Sequence, residues 1–297
     1  MAADSKKSGP PLTLMHPVAG GKDARRINTE TFENIWTASS SLKQRFQYNL
    51  EVVRKNFFHV LKKLGIPRER QRILDIGFGN GMLMFLFSPC CRLRGTEFST
   101  TAVAKASAAA QCRGYRDFYF QIPERSEVLP YSDNEFSIVI ASHVLEHVQD
   151  DVSFLREMLR VLECDGYLIV LVPLDARDDG ILSEETLINP AYLNAGHYHV
   201  RNYNIESLLH RFDRLDGEIV FTQTDMHTWD WKCSLDSKRS KLGSTKSGRV
   251  FDRIIAAAIN IPLSSIPLSW LMAVDGYFAR RGYRARQGLI VFRKKSR

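Results

Sequence analysis

Five residues of this chain combine chemistry with spacing: Asp75, Gly77, Gly79, Gly81 and Glu97. Three glycines at alternate positions follow the short apolar run Ile73-Leu74-Asp75-Ile76. Lacking a Cβ, they let the backbone turn tightly and let a ligand reach the main chain. Glu97 stands twenty residues beyond Gly77, at the end of the segment "CRLRGTEF". A carboxylate in that register can accept both hydroxyls of a ribose. A third group is Ser142-His143, at the end of the apolar run "FSIVIAS". The loop "SEVLPYSDNEF", which begins at Ser126 and Glu127, leads into that run, and the two together can enclose an aromatic base.

Histidines supply the proton chemistry. His147 follows His143 by four residues, one helical turn, so both are expected to face one cleft. His197, Tyr198 and His199 lie in "GHYH", ahead of an expected helix on the substrate side. An imidazole titrates near neutrality and suits a general base. His197 is the first choice for that role and His147 the second. Each is also readable as a structural histidine. The cysteines at 90, 91, 112, 164 and 233 show no metal-ligand spacing, and no metal is expected.

Elements that position these residues follow from apolar periodicity. Leu42, Phe46, Leu50, Val53, Phe57, Val60, Leu61 and Leu64 recur at helical spacing until Gly65 and Pro67 stop the helix. Arg72–Ile76 reads as the first strand, with a helix beginning over Gly81–Phe87. "CRLRGTEF" is a second strand. Ser99 caps an alanine-rich helix over Thr100–Gln111. "DFYFQI", "FSIVIAS" and "GYLIVLVP" are three further strands, with a helix from Asp150 or Asp151 to Leu162 before the last of them. "GEIVFTQT" and "GLIVFRKK" add two more. Such alternation implies right-handed crossovers and an α/β fold: a Rossmann-like, doubly wound, seven-stranded sheet with helices on both faces. The sheet is expected to be mostly parallel, with the last strand antiparallel.

The glycine spacing separates two cofactor classes. In the dinucleotide fingerprint G-x-G-x-x-G the third glycine would fall at Met82, but here it is Gly81. Asp75 would repel a pyrophosphate and attract a sulfonium or an amine. The charge argument therefore points to S-adenosylmethionine rather than NAD.

Five segments, in order, resemble the class I S-adenosylmethionine-dependent methyltransferases of the type 11 group: "ILDIGFGNG", "GTEFS", "LPYSDNEFSIVIASHVLEHV", "FLREMLRVLECDGYLIVLVP" and "GHYHVRNYNIESLLHRF". The resemblance spans about residues 70–225. It implies that Asp75, Gly77 and Gly79 hold the methionine side of the cofactor. It assigns Glu97 to the ribose, Phe98 to packing near the adenine, and Ser142 and His143 to the methionine part. It departs at two places. Arg125 stands where many relatives carry an adenine-binding aspartate, which leaves Glu127 or the Ser126 backbone as substitutes. Cys164-Asp165-Gly166 replaces a Pro-Gly-Gly turn.

Composition bounds the rest. The chain has 297 residues, 44% hydrophobic and 25% charged, as globular proteins do. Residues 1–30 read as a flexible leader without a secretory apolar core, and residues 31–297 as one methyltransferase domain. Within it, 31–66 form expected lid helices and 226–286 a basic and apolar substrate cap. Five cysteines and no signal peptide point to a cytoplasmic location.

Residues 232–297 hold 15 Lys and Arg against 3 Asp and Glu, although the whole chain has a net charge of only +8. A basic segment flanking the uncharged stretch Ile254–Val274 suits a hydrophobic small-molecule substrate, or peripheral contact with a membrane that carries a lipid substrate. Pro262 and Pro267 interrupt that stretch, which reads as two short helices rather than a spanning one. A nucleic-acid partner is not expected, because Ser142-His143-Val144-Leu145 stands where an Asn/Asp-Pro-Pro-Tyr-like motif would serve base methylation. Methylation of a hydroxyl or carboxylate is the leading expectation. A non-catalytic cofactor-binding module is the alternative of another class. The oligomeric state is left open.

Overall fold

Runs of buried aliphatic residues produce seven strands: β1 (Arg72–Ile76), β2 (Arg92–Thr96), β3 (Phe118–Gln121), β4 (Phe136–Ser142), β5 (Leu162–Pro173), β6 (Gly217–Asp225) and β7 (Gln287–Lys294). The computed structural model describes residues 48–123, 128–174, 199, 201–225, 268–281 and 285–296. The strands make one sheet in the order β3-β2-β1-β4-β5-β7-β6. β1 to β5 pair in parallel, while β7 runs antiparallel to both β5 and β6. The doubly wound sheet expected from the alternation is present.

Among the described residues five helices flank it: α1 (Tyr48–Lys63), α2 (Thr100–Cys112), α3 (Asp151–Val161), α4 (Ile205–His210) and α5 (Leu268–Arg280). Successive strand residues point to opposite faces, so β1 sends Ile73 into one core and Leu74 into the other. The first core takes Val53, Phe57, Val60 and Leu61 of α1; the second takes Phe154, Leu155 and Met158 of α3. Ala102, Ala106 and Ala110 give α2 a flat buried face. The caps are local: Ser99 accepts from the Ala102 amide at 3.1 Å, and Asp150 from the Ser153 amide at 2.9 Å.

Several elements differ from the sequence reading. The expected helix over Gly81–Phe87 is only a 3-10 turn, Met84–Leu86, since Gly81 has φ +73° and Pro89 follows shortly. His147 likewise sits on a 3-10 turn, Leu145–His147, and not on a helix. β5 starts directly from α3 at Leu162, and its register with β4 jumps across the Cys164-Asp165-Gly166 turn. Phe57, within the expected lid helices, is a fully buried core residue, whereas Phe58 is exposed beneath the Arg68 guanidinium. α5 begins immediately after Pro267 and continues past Val274 to Arg280, so the apolar stretch does not end where its charges resume. The leader, and residues 226–267 of the cap, lie outside the described residues. The described part of the cap meets the described part of the lid, because α5 contacts α1. Asn56 Nδ2 of α1 also donates to Asp225 Oδ2 at the end of β6, at 2.5 Å.

Candidate functional site

At the carboxyl ends of β1 and β4 the chain turns sharply. Gly77, Gly79 and His143 all have positive φ, at +64°, +54° and +57°. Gly77 donates its amide to the Thr96 carbonyl at 2.8 Å, which ties the loop after β1 to the end of β2. A Cβ on Gly77 would lie 2.8 Å from Val144 Cγ2, so only glycine lets the loop after β4 pack this closely. His143 donates its amide to Leu171 of β5 at 2.9 Å, which holds the turn after β4 against the next strand.

Glu97 fixes the geometry of the cradle. It is 7% exposed. Its Oε2 accepts the Gly79 amide at 2.8 Å, and its Oε1 accepts the Phe98 amide at 2.7 Å and the Ser99 amide at 3.2 Å. The carboxylate is thus oriented by backbone donors from two loops before any ligand arrives. Asp75, at 2% exposure, lies at the end of β1. Burial raises its carboxyl well above the ordinary 3.8, the charge of Glu97 adds to the rise, and the Met84 amide opposes it. Two carboxylates in one cradle reject a pyrophosphate and fit a ligand with cationic groups and a diol.

The raised Asp75 carries a consequence for stability. An acid whose folded value exceeds its unfolded one contributes stability below the unfolded value and loses it as pH rises through the folded one. At neutral pH an ionised Asp75 is therefore a net cost to the unliganded protein. Asp75→Asn is expected to raise the melting midpoint of the free protein at neutral pH and to weaken binding of a sulfonium cofactor by about tenfold, one charge contact. Melting curves from about pH 5 to pH 8, with cofactor titrations, measure both. Unchanged midpoint and affinity would remove Asp75 from the cradle.

A second group lies beyond β4. Glu146 is 1% exposed, and neither of its carboxylate oxygens has a hydrogen-bond partner among the described residues. His143 Nδ1 lies 3.4 Å from its Oε1 and His147 Nε2 4.0 Å. His199 packs edge-to-face on His147, with ring centroids 4.9 Å apart. Burial alone would raise the Glu146 carboxyl. The approach of His143 and the charges of His147, His143 and His199 outweigh it and hold the value down at about 2. An imidazole exerts that pull only when protonated.

His199 reaches this place through a clamp on Asp151, the first residue of α3. Asp151 pairs with Arg201 through Oδ1; its Oδ2 accepts from Tyr203 Oη at 2.8 Å and from Arg211 Nε at 2.9 Å. Arg201 also donates to the Gln149 carbonyl. The returning chain is held two residues after His199 by a buried ion pair, whose loss would leave a charge uncompensated.

The structure thus brings Asp75, Gly77, Gly79, Glu97, Phe98, Ser142 and His143 to one edge of the sheet, with His147 and His199 beside them. Ser126, Glu127, His197 and Tyr198 lie outside the described residues. Sequence reasoning passed over Glu146 and Asp151. Glu146 was visible as the acid between two histidines in "HVLEH"; nothing in the sequence announced the partners of Asp151.

Residues 74–170 match the family of methyltransferase domains. The uncharacterised methyltransferase YcgJ of Bacillus subtilis is 31% identical over 183 residues, 61% of this chain and 69% of that protein. The ubiquinone/menaquinone biosynthesis C-methyltransferase UbiE of Vibrio vulnificus is 31% identical over 108 residues, 35% of this chain and 42% of its own length. Among solved structures, the 4+2 cyclase SpnF shares the fold with a TM-score of 0.52 and 19% identity, over 82% of this chain and 81% of that one.

Proposed function

This chain belongs to the class I S-adenosylmethionine-dependent methyltransferases, and from that premise we propose that it methylates a hydroxyl or carboxylate oxygen of a small hydrophobic molecule. The observation that supports an oxygen acceptor is the buried Glu146 with His143, His147 and His199 gathered around it, at the edge where the cofactor cradle ends. When bound, the cofactor supplies a methyl group on a sulfonium, which departs as a neutral thioether with the C–S bonding electrons. The chain's own residues do the remainder. Glu97 holds the ribose hydroxyls, and Asp75 offsets positive charge on the methionine side. The glycine loop admits the ligand to the backbone. A hydroxyl acceptor must lose its proton as its lone pair takes the methyl, and the histidine group around Glu146 receives it. Alignment of acceptor, methyl and sulfur supplies the larger share of the rate.

His197 remains the first choice for direct contact with the acceptor, and Tyr198 and His199 line the same approach in this reading. The hydrophobic acceptor is supported by the meeting of α1 and α5 and by the relative UbiE, whose name places it in ubiquinone/menaquinone biosynthesis. UbiE methylates carbon, so its acceptor atom does not carry over. A screen with methyl-labelled cofactor against hydrophobic phenols, alcohols and acids is expected to give an O-methylated product. Transfer confined to amine or carbon acceptors would overturn the oxygen assignment.

A second reading places a lipid or lipid-linked acceptor at a membrane surface. Trp270, Val274 and Tyr277 support it: they are exposed at helical spacing along α5. No helix among the described residues is long and apolar enough to cross a membrane, so contact would be peripheral. Co-sedimentation with anionic phospholipid vesicles is expected to fall with added salt and in Trp270→Ser. Equal recovery with and without vesicles would leave the stripe as part of a substrate cap.

A further inference from the structure

We propose that Glu146, His147 and His199 hold a divalent transition-metal ion beside the cofactor cradle. One ligand atom from each of the three lies within 4.8 Å of the others. The cluster was hidden in the sequence, because His199 stands 52 residues beyond His147 and returns beside it through contacts such as the Asp151 clamp. Zinc bonds to nitrogen and carboxylate oxygen at about 2.0–2.2 Å, so the three ligands must draw together by roughly half an ångström or more around an ion. Rotation of two imidazoles provides that movement.

The buried carboxylate is the independent sign. Both Glu146 oxygens are withdrawn from water, at 1% residue exposure, without a hydrogen-bond partner among the described residues. A buried ionised carboxylate is costly unless it is paired or coordinates a metal. Other buried or partly buried acids have firm donors: arginines for Asp151 and Glu157, and backbone amides for Glu97. Among the described residues Glu146 pairs with imidazoles alone, and imidazole nitrogen with carboxylate oxygen is a donor set for zinc, and also for manganese, iron and cobalt.

Three protein ligands leave a coordination position open, as catalytic sites do. This inference deepens the oxygen-acceptor reading and rests on it for the role of the ion. A hydroxyl coordinated there gives up its proton more readily, to solvent or to His143, and its lone pair then takes the methyl. The ion changes no oxidation state. With one carboxylate ligand the site keeps a net positive charge, which an alkoxide or carboxylate acceptor neutralises. An amine acceptor would gain nothing from it.

Cobalt(II) tests the site without turnover. Co2+ added to the full chain saturated with S-adenosylhomocysteine is expected to give a visible d–d absorption band at one equivalent. Glu146→Gln and His199→Ala should each weaken binding by more than about a hundredfold, beyond the loss of an outer-sphere partner. His210→Ala, at an exposed histidine paired with Asp213, should leave the band unchanged. Retained S-adenosylhomocysteine binding shows that the variants fold, and His199→Ala decides alone if Glu146→Gln does not. Absence of the band, its survival in a folded ligand variant, or a thiolate charge-transfer band would each overturn the site. A band with O-methylation absent from the acceptor screen would keep the ion and discard the acceptor reading.

Discussion

Replacing Glu97 with alanine is expected to weaken S-adenosylhomocysteine binding on the order of a hundredfold or more. Glu97 is the hub of the cradle rather than one of its walls. Its two oxygens accept three backbone amides, from Gly79, Phe98 and Ser99, in a place with little water. Each buried donor left unpaired costs about 1–3 kcal/mol. The loops after β1 and β2 would therefore separate or hydrate, and the ribose would lose its acceptor as well. Calorimetric titration of wild type, Glu97→Ala and Glu97→Gln measures the effect. Glu97→Gln keeps the shape and one acceptor oxygen, so its loss should be smaller. Affinity of Glu97→Ala within about threefold of wild type would show that the diol is held elsewhere, since a smaller change is under 1 kcal/mol.

The second large effect is on turnover. His147→Ala is expected to lower kcat by about a hundredfold or more, the ordinary scale when removal of the acceptor's proton is impaired. Cofactor affinity should hardly change, because His147 adjoins Glu146 and His199 and makes none of the Glu97 contacts. The comparison to make is kcat against the cofactor Kd, for His147→Ala and for His197→Ala, at saturating acceptor and across neutral pH. Full turnover in both variants would reject histidine involvement and leave alignment as the source of the rate, as a carboxylate acceptor requires.

The cofactor half of the site was legible because it is local. A strand, a glycine loop and a carboxylate twenty residues later follow from short-range backbone requirements, and the doubly wound sheet follows from the alternation of strand and helix. The acceptor half was less legible for the opposite reason. Glu146 gains its character from burial, and His199 its position from Arg201, Tyr203 and Arg211 meeting Asp151 across fifty residues or more. Periodicity also overstated helices. After Gly81 and after Val144, apolar residues recur at helical spacing, yet the chain makes a single 3-10 turn, because the loops must stay short to face the ligand. Phe57 and Phe58 show the same limit: adjacent aromatics on one helix divide between core and solvent, which composition does not foretell.

The placement of β7 between β5 and β6 governs how this protein can be made. Among the described residues β6 pairs in the sheet only with β7, and β7 begins 62 residues after β6 ends. A ribosome adding about 5–20 residues per second needs several seconds after β6 to produce β7. Throughout that interval the edge of β5, from Tyr167 to Pro173, is an open template of apolar residues. The first five strands can therefore assemble on the nascent chain with an adhesive edge exposed. Shielding of that edge until β7 arrives is the consequence expected from this order of strands.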